Sequence, residues 1–145
     1  MKTELAASHL IVYVADTGAS IAFWCRGMGG VLEQDGELEA PALDAMFGRK
    51  GVRIRDTFIR IGGVRLHTIE PLDVRSEAAP KAMRTAGIDG LSFEVPDIES
   101  AHARAVAEGL RPTPIYDFSA VETPCRMFFL DDPDGIRVEM IEYVR

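Results

Sequence analysis

The sequence predicts an α+β fold in which one small module occurs twice. GVRLHTIEP at 63–71 matches GIRVEMIEY at 135–143 at a constant offset of 72 residues, and an earlier pair of stretches also matches. The repeat divides the chain into a first module at about 5–72, a linker at 73–88 and a second module at about 89–145. The whole chain of 145 residues is predicted to be one domain, because that length supports a single ordinary core.

The first strand and helix of each module follow from the earlier match. HLIVYVAD at 9–16 lies over GLSFEVPD at 90–97, 81 positions later. Both are short apolar runs, which is typical of buried strands. Each run ends at an aspartate, Asp16 or Asp97, where a helix cap belongs, and a helix-forming stretch that stops at glycine follows. Each module is therefore predicted to begin with a strand and a helix.

The rest of each module reads as strand, turn, strand. Gly62-Gly63 separates two strand-like runs in the first half, and Pro133-Asp134-Gly135 separates two in the second half. Residues 32–47 are expected to form a loop or a short helix inserted in the first half. Two modules of this kind, each with two or three strands after the helix, can lie side by side. They would form one curved mixed sheet with helices outside and a concave face.

Composition and charge exclude several classes of function. The net charge of −7 argues against nucleic acid as a partner, because binding to phosphates needs a basic face. No apolar run is long enough to cross a membrane, and no signal peptide precedes the first strand. Two cysteines, Cys25 and Cys125, read as free thiols of a cytoplasmic protein. The basic stretch at 48–65 is either a solvated strand face or a surface for an anionic substrate.

The repeat nominates four equivalent positions on the concave face, namely His9, His67, Gly90 and Glu139. Two imidazoles and a carboxylate suit a divalent ion such as manganese, iron, cobalt, nickel or zinc. Taken singly, each histidine reads more readily as a structural residue and the glutamate as a solvated one. The duplication selects these positions independently of their chemistry, and this favours a metal site. His102 falls outside the pattern and is expected to be exposed and structural.

Four stretches of the sequence are the most specific for a known family: SHLIVYVAD, FIRIGGVRLHTIEPL, GLSFEVPDIESA and FFLDDPDGIRVEMIEY. Through them the chain resembles the vicinal oxygen chelate superfamily over nearly its whole length. That superfamily includes glyoxalase I, methylmalonyl-CoA epimerase, extradiol dioxygenases and fosfomycin-resistance enzymes. The resemblance implies paired βαβββ modules and a homodimer, with sites built from one chain or from two. It also implies that His9, His67 and Glu139 are metal ligands, whereas Gly90 stands where the family usually has His or Gln. The stretch IGGVRLHTIEPL is closest in style to the epimerase branch.

These residues predict a metal-dependent isomerase or epimerase of a small oxygenated metabolite. A metal that polarises a carbonyl stabilises the enolate formed when the neighbouring carbon loses a proton. Glu139 and Asp56 are the candidate bases, although Asp56 reads equally well as a salt-bridge partner of a nearby arginine. If the Gly-Gly hairpin pairs Arg60 with Arg65, Asp56 shares the face of His67. The two arginines could then hold a substrate carboxylate or phosphate.

Two other functions remain open from the sequence. One is a non-catalytic protein that binds cationic drugs, as some members of the superfamily do, and the other is a glutathione-dependent lyase of the glyoxalase I type. Metal content separates the first of these from an enzyme. The pocket walls are expected to come from Trp24, the segment 32–47 and the segment 116–128.

Overall fold

The computed structural model describes residues 7–74, 90–118 and 124–143, so nearly all of the predicted linker at 73–88 lies outside the described residues. The first module contains β1 (Leu10–Tyr13), α1 (Thr17–Ile21) with a π-helical continuation (Ala22–Gly27), β2 (Val31–Glu39), α2 (Pro41–Phe47), β3 (Arg53–Ile61) and β4 (Val64–Pro71). The second contains β5 (Gly90–Glu94), α3 (Ile98–Ala107), β6 (Tyr116–Phe118), β7 (Cys125–Asp131) and β8 (Arg137–Tyr143). None of the described helices is long and apolar enough to cross a membrane.

The strands form two four-stranded mixed sheets with the same topology. The order is β1-β4-β3-β2 in the first sheet and β5-β8-β7-β6 in the second. In each sheet the first strand runs parallel to the last, and the other neighbours are antiparallel. This confirms the α+β class and the paired βαβββ modules. Within the described residues, however, the two modules keep separate sheets and do not share one hydrogen-bonded sheet.

The predicted aspartate caps are confirmed in both modules. Asp16 Oδ1 accepts a hydrogen bond from Ala19 N at 2.8 Å, and Asp97 Oδ1 accepts one from Ser100 N at 3.0 Å. Each carboxylate thereby satisfies a backbone N–H that has no partner within the first helical turn.

A second carboxylate reaches each helix start from the last strand of the same module. Glu70 Oε2 accepts from Thr17 N at 2.9 Å, and Glu142 Oε2 accepts from Ile98 N at 3.2 Å. Negative charge at a helix N-terminus is favourable. The Ile-Glu pair that recurs in the two matching stretches is therefore a structural element that ties strand to helix.

Helix and strand residues of both modules form one shared core. Trp24 and Phe128, both fully buried, are the largest side chains in it. The remaining buried members are Phe23, Ile59, Ile61, Leu66, Val95, Ile98, Ala101, Ala105, Leu130, Val138 and Met140. Because both modules contribute, the helix-facing side of either sheet would be partly exposed to water in an isolated module.

Polar contacts also join the modules. Trp24 Nε1 donates to Asp132 Oδ2 at 3.3 Å, and Ala15 N donates to Asp134 Oδ1 at 2.8 Å. Burial raises the pKa of Asp132, while the backbone N–H groups of its own turn oppose that shift. Trp24 was expected to line a pocket, and this expectation was wrong because its indole is the centre of the core.

The segment 32–47 differs from the sequence expectation of a loop or short helix. Residues 31–39 form the edge strand β2, paired antiparallel with β3, and only α2 is helical. Leu43 of α2 packs on Val52, Ile54 and Ile69 in a second, smaller apolar cluster. Helix α2 therefore covers one end of the sheet face that points away from the core.

Candidate functional site

Each sheet has one face against the helices and one open face. On β3 and β4 the open face carries Asp56, Phe58, Arg60, Arg65 and His67, because alternate residues of a strand share a face. The predicted register is confirmed, with Arg60 opposite Arg65, Phe58 opposite His67 and Asp56 opposite Ile69.

His9, His67 and Phe58 form an aromatic cluster on this face. The His67 and Phe58 rings are stacked, with centroids 4.3 Å apart and planes 10° apart. The His9 ring meets both of them edge-on, with its centroid 5.3 Å from that of His67 and 5.5 Å from that of Phe58. His9 comes from the residues just before β1, which runs parallel to β4, and so the topology brings the two imidazoles together.

Asp56 lies beside His67. Its Oδ2 is 3.5 Å from His67 Nε2, and the two side chains are 13% and 18% exposed. This contact lacks hydrogen-bond geometry, and Nε2 is buried with no hydrogen-bond partner among the described residues. Gln34 Nε2, from β2, donates to the same Asp56 oxygen at 3.5 Å. A buried imidazole nitrogen with an unused lone pair or proton is a group that a ligand or an ion can satisfy.

The protonation state of His67 follows from the same surroundings. Burial lowers the pKa of His67 below its ordinary value, the Asp56 carboxylate opposes that shift, and the neighbouring His9 adds to it. His67 is therefore neutral at pH 7, the form in which an imidazole nitrogen binds a metal or accepts a proton.

Arg60 and Arg65 lie together at the other end of the face, where one carboxylate joins them. Glu33 Oε1 accepts from Arg60 Nε at 2.6 Å, and Glu33 Oε2 accepts from Arg65 Nε at 2.7 Å. The Arg65 guanidinium also lies 4.1 Å from the Phe58 ring centroid, a cation–π contact.

Glu139 lies on the open face of the second sheet. Ser92 Oγ donates to Glu139 Oε2 at 2.6 Å, and Phe129 is directly opposite Glu139 on β7. Arg137 lies over the Phe129 ring at 5.2 Å, as Arg65 lies over Phe58 in the first sheet. The repeat therefore preserves an arginine–phenylalanine pair on both open faces. The residue opposite the phenylalanine differs, being His67 in the first module and Glu139 in the second.

Gly90, the position where a fourth ligand would stand, has a steric reason for being glycine. A Cβ at this position would lie 2.0 Å from the carbonyl oxygen of Arg137 on the neighbouring strand β8. A histidine or glutamine there would push the two strands apart, so the present strand spacing disfavours a ligand side chain.

The donor chemistry of the first face fits a divalent metal in part. His9 and His67 supply two imidazoles, one with a buried unpaired nitrogen, and Asp56 adds a carboxylate nearby. Across residues 7–74, 90–118 and 124–143, no three His, Cys, Asp or Glu side chains come close enough to hold an ion. The structure thus brings His9, His67 and Asp56 to one face but leaves Glu139 on the other sheet.

Several site residues were not singled out from the sequence. Phe58 could have been found, because it stands 71 positions before Phe129 in equivalent strands. Gln34 and Glu33 could not, since the polar run LEQDGELE shows no strand alternation. His102 is half-buried rather than exposed; its Nε2 is 2.9 Å from the carbonyl oxygen of Thr113, and its role is structural.

Comparison with known proteins agrees with the fold. The family profile described as the Glyoxalase/Bleomycin resistance protein/Dioxygenase superfamily matches residues 6–140. No curated protein matches the sequence.

Solved structures of similar fold cover almost the whole chain. A glyoxalase family protein from Bacillus cereus is 18% identical with a TM-score of 0.76, covering 99% of this chain and 98% of that one. A glyoxalase family protein from Enterococcus faecalis is 19% identical with a TM-score of 0.73, covering 94% and 97%. A glyoxalase I mutant from Zea mays is 15% identical with a TM-score of 0.65, covering 92% of this chain and 43% of that one. These identities show the fold alone and do not single out an epimerase branch.

Proposed function

This chain belongs to the glyoxalase/bleomycin resistance protein/dioxygenase superfamily, and from that premise we propose that it is a metal-dependent isomerase or epimerase of a small oxygenated metabolite. The open face of the first sheet is the site. The observation that carries the proposal is the convergence of His9, His67 and Asp56 there, with His67 Nε2 buried and without a hydrogen bond to any described residue. Groups that bind metals or move protons are costly to bury unpaired and commonly mark functional sites.

His9 and His67 are the residues that would hold the ion. A bound divalent metal would polarise a substrate carbonyl and so acidify the adjacent C–H group. The lowered pKa of His67 favours this role, because protonation would compete with metal for the same nitrogen.

Asp56 is the proposed base. Its carboxylate is largely buried and lies beside His67. A substrate bound next to His9 and His67 would therefore have its reacting carbon close to the Asp56 carboxylate. Gln34 donates to one carboxylate oxygen and so restricts its rotation. Helix α2 packs through Leu43 on Ile69, which lies directly opposite Asp56, and so covers the Asp56 end of the face.

We extend the proposal to a homodimer in which Glu139 of one copy completes the ligand set on the first sheet of the other. Two features support it. The carboxylate of Glu139 is on an open face but bonded only to Ser92 among the described residues. The edge strand β1 also exposes large apolar side chains, with Ile11 60% and Tyr13 53% exposed. Such an edge is a ready surface for another chain.

Proton exchange tests the isomerase reaction. The metal-loaded protein is incubated in deuterated water with small oxo acids and hydroxy ketones, and loss of the α-proton signal is followed by NMR. We expect exchange that falls by about 100-fold or more in Asp56→Asn, because a positioned base contributes that much. Asp35→Asn is the matched control, since Asp35 pairs with Arg55 on the other side of the same sheet. Metal-dependent turnover without deuterium uptake would exclude the enolate mechanism.

Subunit mixing tests the shared site. His67→Ala and Glu139→Ala should each bind no metal alone, while co-refolded hybrids should regain about a quarter of the wild-type metal content. Random pairing makes half of the dimers mixed. In each mixed dimer, one of the two sites combines an intact His67 from one copy with an intact Glu139 from the other, so a quarter of all sites are intact. If mixing restores nothing, each site is built within one chain.

A second candidate function has its own observation. The open face of the second sheet carries the Glu139 carboxylate opposite Phe129, and exposed aromatic side chains lie further along the same face, namely Tyr116, Phe118 and Tyr143 at 43%, 45% and 43% exposure. Aromatic rings with one carboxylate suit an organic cation. Non-catalytic binding would give fluorescence quenching by a hydrophobic quaternary ammonium ion without metal, lost in Glu139→Gln and kept in His67→Ala. The isomerase proposal predicts no such metal-independent binding.

A further inference from the structure

We propose that Glu33 is an internal competitor that occupies an oxyanion subsite formed by Arg60 and Arg65. A carboxylate or phosphate group of the ligand would bind these arginines by displacing Glu33, so that Glu33 sets the affinity for anionic ligands. The inference rests on the proposed function only in taking the open face of the first sheet as the ligand site.

The contacts of Glu33 are those of a bound oxyanion. Each of its two oxygens accepts from the Nε of a different arginine, at 2.6 Å and 2.7 Å. Charge-assisted bonds of this kind are stronger than neutral hydrogen bonds and are specific for planar or tetrahedral oxyanions. Hydrogen bonds from Arg65 and then Arg60 lower the pKa of Glu33, which keeps it charged at neutral pH. The arginine pair is thus built to hold an anion, and a residue of the same chain now fills it.

An irregularity in the edge strand places Glu33 there. Leu32 pairs with Ile59 and Gln34 pairs with Phe58, which leaves Glu33 as an extra residue between consecutive pairs. A bulge of this kind redirects a side chain and interrupts the hydrogen-bond ladder. Glu33 can therefore leave the arginines by a local change in an edge strand, without disturbing the rest of the sheet.

The subsite adjoins the metal and proton-transfer residues. Arg65 lies against the Phe58 ring, and that ring is stacked on His67. An oxyanion held by the two arginines would therefore be one side chain away from His67. This spacing suits a substrate that carries its anionic group a few bonds from the reacting carbonyl.

In the second module the equivalent arginine lies beside a different carboxylate, Asp131, which stands directly opposite it on the neighbouring strand. Arg137 is the repeat equivalent of Arg65, and its Nε is buried without a hydrogen bond to the described residues, with Asp131 Oδ1 at 3.8 Å. The arginine–phenylalanine pair is kept in both modules, whereas the bridging glutamate belongs to the first. Among the described residues, the bridging of two arginines by one carboxylate is therefore a feature of the first module.

Binding of simple oxyanions tests the proposal without metal or turnover. Malonate and inorganic phosphate are titrated separately into the wild-type chain and Glu33→Gln, with the arginine Nε–H signals followed by NMR. We expect Glu33→Gln to bind at least one of them about tenfold more tightly, because freeing two charge-assisted bonds is worth at least that much. The tighter of the two anions identifies the oxyanion as carboxylate or phosphate.

Glu37→Gln is the matched control. Glu37 lies on the same strand and loses the same charge, but it pairs with Arg53 at 3.2 Å, away from the subsite. Glu37→Gln should bind as the wild type does, and adding Arg65→Gln to Glu33→Gln should abolish the gain. Equal affinity in wild type and Glu33→Gln, or an equal gain in Glu37→Gln, would overturn the proposal. Failure of the deuterium exchange test would leave this result unaffected, so the two proposals are separable.

Discussion

Replacing Gly90 by alanine tests why this chain has no ligand at the fourth position. A Cβ would lie 2.0 Å from the Arg137 carbonyl oxygen, whereas ordinary contacts begin at 3.4 Å, so β5 would have to withdraw by roughly 1.4 Å (3.4 − 2.0) from β8. That movement weakens one or two backbone hydrogen bonds at about 1 kcal/mol each and adds overpacking strain of about 1 kcal/mol. Alanine recovers about 0.5–1 kcal/mol of strand propensity. The expected net loss of unfolding free energy is about 1–2.5 kcal/mol.

Urea denaturation measures this loss as a lower midpoint at unchanged slope. Gly36→Ala is the matched control, because Gly36 also lies inside a strand but its added Cβ meets nothing within 4 Å. That variant should be neutral or stabilised by up to about 1 kcal/mol. If Gly90→Ala loses less than about 0.5 kcal/mol, or behaves like the control, the steric account is wrong.

Four further outcomes follow from the described contacts. Asp56→Asn should lower the pKa of His67 further, as followed by NMR of the imidazole protons, because the Asp56 carboxylate is the group that opposes the effect of burial; a rise would contradict the assigned contact. Since the folded pKa of His67 lies below the unfolded value of about 6.5, His67 makes the protein less stable as the pH falls through that range. Glu70→Ala should cost about 1 kcal/mol in urea denaturation through the lost bond to Thr17 N, and no loss would make that cap irrelevant. Leu43→Ala should cost about 2–3 kcal/mol by the same assay through the small apolar cluster, and a neutral result would mean that α2 is not packed on the sheet.

The sequence predicted the parts of the fold that local rules control. The Gly62-Gly63 turn determined the β3–β4 register, and the register placed Asp56 beside His67. The aspartate caps were also predictable, because capping depends on residues three positions apart. The internal repeat extended both conclusions to the second module.

The rest depended on contacts that no local pattern encodes. The edge strand β2 has polar residues on both faces, so it shows no alternation, and its bulge at Glu33 is invisible in the sequence. Trp24 could not be assigned to the core from the sequence, because its neighbours in the core come from both modules. The predicted ligand set placed Glu139 beside His67 by repeat symmetry, yet each residue belongs to its own sheet. Whether a second copy unites them is a question of assembly and not of local pattern.

Elemental analysis of the protein purified without added metal tests the central claim most directly. Wild type and His67→Ala are compared, before and after reconstitution with manganese, iron, cobalt, nickel and zinc. The proposal predicts about one divalent ion per chain in the wild type and none in His67→Ala, because the variant loses an imidazole ligand. No metal in either protein, even after reconstitution, would contradict the metal-dependent isomerase and favour the non-catalytic binding protein.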